Sequence, residues 1–493
     1  MKKILGILLA LIAATGFSSQ AQVARPKLVV GIVVDQMRWD YLYYYQDRFG
    51  DDGFKRLLNE GFSCQNTLID YVPTVTACGH ASVYTGTTPA VHGIAGNDYL
   101  LNGKSVNSVE DPFAKGVGTP NKTGQKSPRN MLTSTIGGEL RAATKFRSKV
   151  FGVALKDRAA ILPAGHTANA AYWFDAKVPG FITSDYYMSE LPDWVKQFNK
   201  EHNKPEVKNP MYTPLGVPLT FDMATAVLKN ERLGQDESTD MLCISVSSTD
   251  IVAHTKGTRS LPTDSCYMLL DQELAKFFNT LDDQVGKGNY LLFLTADHGG
   301  TNNYKYNSTH RLPSGGWTYW GKENADYNNV LKQKFGVDKL VTHVMEFSLY
   351  IDEDLIAKNH LNRDEVIAAI KEYFMQDPDV DRLVDVKNID KEPLPAEIKE
   401  RIIKGYKPGR SGEIFIMLKP GYYCGDEKGD GSNHGTWSMD DSHIPCVFMG
   451  WGVKHGETMQ PNGMIDIAPT VCAMLHIQMP TGCLGKPIKA LVP

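Results

Sequence analysis

Short apolar runs punctuate the chain at 27–34 (KLVVGIVV), 150–155, 241–247, Tyr290–Thr295 and 444–449. They are rich in β-branched and aromatic residues and do not alternate apolar with polar positions. That is the pattern of strands buried on both faces of a parallel sheet. Between them lie stretches of helical periodicity, for example 268–281 and Arg363–Phe374. Strands alternating with helices predict an α/β fold, a doubly wound and mostly parallel sheet with helices on both faces. In such a sheet the ligand crevice lies beyond the carboxyl ends of the strands. The residues directly after each run therefore matter most. Asp35 follows the first run, Lys156 and Arg158 the second, Asp250 and His254 the third, and Asp297 and His298 the fourth.

Two regions break the rhythm. The stretch 100–126 is rich in Gly, Asn, Lys and Pro and reads as a loop near the mouth of the site. The stretch 300–432 opens on the polar segment TNNYKYNSTHRLPSGG and holds two helical patterns and a charged region. It reads as an insertion between the fourth core segment and the last. Without a repeat or a low-complexity linker, the expectation is one catalytic domain over 22–493 that carries both insertions.

The first residues are of another kind. Lys2 and Lys3 precede an apolar run over 4–14, and Ser19 and Ala21 stand at the −3 and −1 positions of a cleavage site. This layout predicts a signal peptide over 1–21 and a secreted, periplasmic mature chain. The run is shorter than the ~20 residues that span a bilayer, so stable membrane insertion is not expected. The net charge of −4 becomes more negative once Lys2 and Lys3 leave, which argues against a nucleic-acid partner held by a basic surface. Eight cysteines without CxxC pairs, in a chain bound for an oxidising compartment, predict some disulfides, although those inside strands also read as small buried hydrophobes. Nothing in the sequence fixes their pairing or an oligomeric state; a monomer suits it.

Asp35, the pair Asp250 and His254, the pair Asp297 and His298, and His434 offer three carboxylates and three imidazoles. Catalytic zinc sites use such donors and leave a position open for water or substrate. Each fragment alone is an ordinary turn or helix start; their common position at strand exits gives them weight. His434, in a polar N-H-G loop, lacks that support. Thr76 lies in YVPTVTACGHASVYTG at the start of a helical pattern, where amide groups and the helix dipole favour negative charge on an attacking oxygen and on a phosphate. Taken alone, Thr76 reads equally well as a helix cap.

The ordered set Asp35, Thr76, Asn97, Asp250-x3-His254, Asp297-His298 and His434 resembles the alkaline phosphatase superfamily. PTVTACGH followed by GNDY, with Asn97 lying 21 residues after Thr76, is similar to its phosphatase/nucleotide-pyrophosphatase branch, and LKDRAA is similar to phosphate-irrepressible periplasmic alkaline phosphatases. The resemblance implies two Zn2+ ions. Asp35, Asp297, His298 and Thr76 would hold one; Asp250, His254 and His434 would hold the other. It further implies a phospho-threonine at Thr76, and Asn97, Lys156 and Arg158 as ligands of the phosphoryl oxygens. A monoester dianion leaves three such oxygens to stabilise, and the Lys/Arg pair marks monoesterases in this likeness. Small phosphate monoesters of broad range are the expected substrates. A phosphodiesterase or pyrophosphatase of the same superfamily is the nearest alternative, and an inactive zinc- or phosphate-binding protein a remote one. A sulfatase is disfavoured, because Thr76-Ala77-Cys78-Gly79 lacks the C/S-x-P-x-R context.

Overall fold

The computed structural model describes residues 24–202, 207–317, 326–425 and 429–492. The expected signal peptide lies outside them. The apolar runs form the strands their pattern predicts. Strands β1 (Leu28–Val34), β2 (Val150–Ala154), β3 (Ala170–Asp175), β4 (Asp240–Val246) and β5 (Tyr290–Thr295) lie parallel in the order β5-β1-β4-β2-β3. Every residue of β1, β2, β4 and β5 is buried, as unbroken apolar runs require. Helices α1 (Thr76–Thr85), α2 (Asp157–Ala164), α3 (Ser248–Lys256) and α4 (Leu261–Gln284) belong to this layer structure. The pattern read at 268–281 lies inside α4, which begins earlier because the Ser260 hydroxyl caps it by accepting from the Thr263 amide, with Pro262 in the first turn.

The insertion carries a sheet of its own, formed by β6 (Val341–Met345), β7 (Ser348–Ile351), β8 (Val380–Asp385) and β9 (Ile414–Leu418) in the order β6-β7-β9-β8. Helix α5 (Arg363–Phe374) contributes Val366 and Ile370 to a second apolar core with Leu349 and Ile416. The chain then returns as β10 (Cys446–Gly450), which departs from expectation. It runs antiparallel to β5, with Thr295 opposite Cys446 and Leu291 opposite Gly450, and it starts two residues late. Pro445 interrupts the apolar run because it has no amide proton to give the ladder, so His443 and Ile444 pair instead with Thr67 and Leu68 in a small separate sheet.

The expected disulfides are absent among the described residues. Seven of the eight cysteines are buried. Most pack as small apolar groups in the cores, the other reading their strand positions allowed.

Candidate active site

Three neighbouring strands deliver the acidic residues. Asp35 directly follows β1 and Asp297 follows β5 by one residue, while Asp250 lies in the first turn of α3, which begins just after β4. Gln36, at φ 62°, takes the left-handed turn that ends β1, and its amide donates to Asp297 Oδ1 at 3.1 Å. Asp250 and His254 are one helical turn apart, which brings His254 Nε2 to 3.0 Å from Asp250 Oδ1. Thr76 is the first residue of α1, as its sequence context predicts, with its hydroxyl 3.4 Å from His298 Nε2. Helix α1 can come this close because residue 79 is glycine: a Cβ there would stand 2.1 Å from the Asp297 carbonyl oxygen.

His434, the weakest candidate in the sequence, joins the cluster. Its ring stacks on His298 with centroids 3.6 Å apart, and its Nε2 lies 3.5 Å from Asp250 Oδ1. All six proposed metal ligands thus converge, with Asp35, Asp297 and His298 forming one close group and Asp250, His298 and His434 another. His298 belongs to both groups, and His254 reaches the second through Asp250.

The chemistry of these donors fits metal ions. Nδ1 of His298 meets the Gly299 carbonyl at 2.8 Å, Nδ1 of His254 meets Ser432 at 2.9 Å, and Nδ1 of His434 meets Thr74 at 2.8 Å. A carbonyl can only accept, so Nδ1 carries a proton in each ring and Nε2 is the nitrogen directed into the site. Asp35 Oδ1, Asp250 Oδ1 and Asp297 Oδ2 are buried without a hydrogen-bond partner, a costly state that coordination relieves. Burial holds His298 below its usual range, and burial together with His298 holds His434 well below, keeping both neutral as ligands must be. Burial also raises Asp250, but His254 and Lys156 outweigh it and hold the carboxyl well below the usual range. Burial and the Asp297 carboxylate push Asp35 well up.

Lys156 directly precedes α2, without a side-chain capping bond, and is 4% exposed. Its Nζ donates to Asp35 at 2.6 Å and Asp250 at 2.5 Å, and lies 3.4 Å from the Thr76 hydroxyl. The ammonium thus stands within the Asp/His cluster as well as beside the Thr76 hydroxyl. Asn97 accepts from the Ala77 amide through Oδ1 at 3.0 Å, which leaves its two N–H donors for a ligand at the helix start. Arg158 is partly exposed, and its Nε has no hydrogen-bond partner.

Sequence reasoning missed two residues. His80, one turn after Thr76 on α1, places Nδ1 2.9 Å from the Thr76 carbonyl and 3.2 Å from Asp297 Oδ2, and Nε2 2.8 Å from the Ser245 hydroxyl. The i, i+4 spacing from Thr76 was the available signal. Glu346 comes from the insertion, and burial and Asp98 push its carboxyl up to about 8. It lines a cavity of about 540 Å3 that also touches Asn97, His254, Phe347, Asn433 and His434.

A family model described as type I phosphodiesterase / nucleotide pyrophosphatase matches residues 29–440, a span that holds every residue of the cluster. The chain belongs to this family. Among its relatives, a Myroides odoratus protein named calcium-transporting ATPase is 42% identical, with 95% of each chain covered. The alkaline phosphatase PafA of Elizabethkingia meningoseptica is also 42% identical, with 100% of this chain and 99% of that one covered. The crystal structure of wild-type PafA superposes with a TM-score of 0.91 at 42% identity, over 96% of this chain and 100% of that one. A PafA variant has also been solved, with one threonine and one asparagine replaced 21 positions apart and one lysine and one arginine replaced two positions apart. Members of the alkaline phosphatase superfamily share this sheet architecture, and the large mixed sheet with helices on both sides matches it.

Proposed function

We propose that this chain is an alkaline phosphatase that hydrolyses phosphate monoesters through a covalent phospho-threonine at Thr76, with two zinc ions in the Asp/His cluster. Asp35, Asp297 and His298, with the Thr76 hydroxyl, would hold one ion; Asp250, His254 and His434 would hold the other. Bound there, the ions supply positive charge that lowers the pKa of hydroxyl groups and stabilises the attacking and leaving oxygens.

The residues divide the remaining work. Thr76 Oγ attacks phosphorus and loses its proton; the P–O bond to the leaving alcohol breaks, and the leaving oxygen is protonated. Water then breaks the phospho-threonine P–O bond, returning the hydroxyl and releasing inorganic phosphate. The start of α1 offers the dipole of an N-terminus to the phosphoryl group. The N–H donors of Asn97, the Lys156 ammonium and the Arg158 guanidinium meet the oxygens that gain charge. The spacings of Thr76 to Asn97 and of Lys156 to Arg158 equal those of the four residues replaced in the PafA variant, which supports reading them as one set.

The observation that carries the monoesterase reading is the Lys156 ammonium, buried 3.4 Å from the Thr76 hydroxyl with Asn97 and Arg158 nearby on the chain's α1 and α2 side. A dianion repays those donors; a diester, with one charge and an ester group on one oxygen, does not. The γ-phosphate of a nucleoside triphosphate is also a terminal group, so an ATP-hydrolysing relative is compatible with the same chemistry. No described helix is long and apolar enough to cross a membrane; the sequence features of residues 1–21 support a periplasmic chain acting on small phosphate esters.

The test is the ratio of kcat/KM for an aryl phosphate to that for its methyl diester on zinc-loaded mature protein. A ratio well above one that collapses in Lys156→Ala/Arg158→Ala is expected. A ratio below one moves the chain to the diesterases of its family.

A further inference from the structure

Strands β6 and β7 pair directly from Met345 to Ser348, so Glu346 and Phe347 alone form the turn between them. Both have positive φ, at 43° and 66°. Two-residue turns of this kind favour Asn and Gly, and side chains larger than these are strained there by about 1 kcal/mol each. The strained turn is spent on the active site. Glu346 Oε2 accepts from the Asn97 amide at 2.8 Å, and Oε1 accepts from the Asp98 amide at 3.3 Å. Gly96 gives the carboxylate its place, since a Cβ at residue 96 would lie 2.3 Å from Oε2. Phe347 packs in the same way beside the metal cluster, where a Cβ on Gly435 would come 2.4 Å from its ring.

Asn97 is fixed on every other side. Its carbonyl accepts from the Ser108 amide at 2.8 Å and from Asn107 Nδ2 at 3.2 Å, and its side-chain oxygen accepts from the Ala77 amide. The one remaining backbone group, its N–H, goes to Glu346. We propose that Glu346 is a positioning residue: the hairpin of the insertion reaches across the cavity, holds the Asn97 backbone, and so aims the Asn97 amide donors at a phosphoryl oxygen of a dianionic monoester. The proposal rests on the monoesterase reading above for the identity of the ligand. The geometry assigns Glu346 no contact with the reacting atoms. The two backbone N–H groups and the nearby Arg158 only partly offset the rise that burial and Asp98 impose on its carboxyl.

A double-mutant cycle tests this, using Glu346→Ala, Asn97→Ala and the double variant in the full mature zinc-loaded chain, with kcat/KM for an aryl phosphate monoester and the inhibition constant of inorganic phosphate as readouts. Glu346→Ala is expected to cost about tenfold in both, the size of one lost hydrogen bond. In the Asn97→Ala background the same change is expected to cost less than about twofold, because the group it positions is gone. Should Glu346→Ala not fold, Glu346→Met keeps the length of the side chain without a carboxylate acceptor for the Asn97 amide and serves in its place; losses that shrink in the Asn97→Ala background again support positioning. Equal losses with and without Asn97 overturn the proposal and leave Glu346 a support of the hairpin alone. Failure of the monoesterase reading shows separately, as a wild-type preference for the diester before any variant is made.

Discussion

A single carboxyl far from the site shows how residue-scale burial sets pH behaviour. Asp240 opens β4, is fully buried, and accepts from the amides of Lys149 at 2.7 Å and Gly234 at 2.9 Å. Burial outweighs both bonds and raises its pKa to about 6. The unfolded carboxyl ionises near its ordinary value of about 3.9. Between the two values the folded state holds the extra proton, so this group's contribution to stability falls as pH rises through that window, by up to about 3 kcal/mol. Asp240→Asn does not ionise. It loses one acceptor and is expected to be less stable than wild type at pH 4, with the gap in unfolding free energy narrowing toward pH 7. Denaturant unfolding across that range decides the matter, and a constant gap means Asp240 titrates normally in the folded chain.

At the scale of elements, the site depends on how closely α1 approaches the end of β5. Gly79 allows that approach, and adding a methyl group meets the Asp297 backbone just past the end of β5. Gly79→Ala should push the start of α1 outward by several tenths of an ångström to about 1 Å and cost on the order of 10²-fold in kcat, since displacements of that size misalign an attacking group. Steady-state kinetics on the folded variant check this; a near-normal kcat means the helix moves without carrying Thr76.

The same elements show what the sequence made legible. Buried parallel strands announce themselves as unbroken apolar runs, and strand exits then locate Asp35, Asp250, Asp297 and Lys156 from one sequence, as does the helical pattern for Thr76. The antiparallel entry of β10 was hidden because strand direction leaves no trace in a run buried on both faces, although Pro445 marked where the run breaks. His434 was legible only through the ordered likeness to a family, since its loop has no periodic signal. Glu346 was out of reach: it lies 249 residues from Asn97 in the chain, and only the folded hairpin brings the two together.

For the molecule as a whole, the Asp/His cluster joins parts that are otherwise separate. Asp35, Asp250 and Asp297 come from three core strand exits, while His434 lies on the far side of the insertion, between its sheet and β10. Among the described residues, two of the three buried carboxylates, Asp35 and Asp250, share one ammonium, Lys156, while Asp297 faces the imidazoles of His80 and His298. Without divalent ions this gathering of like charge destabilises the fold, because each carboxylate is removed from water and repels the others. Ions that bind only the folded chain stabilise it by mass action, about 2.7 kcal/mol when free metal stands at 100 times the Kd. Dialysis against a chelator should therefore abolish phosphatase activity and also lower the midpoint of thermal unfolding by a few degrees, and zinc added back should restore both. Because Lys156→Ala removes the one ammonium that neutralises the cluster, its unfolding midpoint should fall further than that of wild type on chelation and recover to a similar value with zinc. A wild-type midpoint indifferent to chelator would mean that the six ligands hold no ion tightly enough to matter to the fold, and the roles assigned to them would have to be redistributed between Lys156 and the imidazoles.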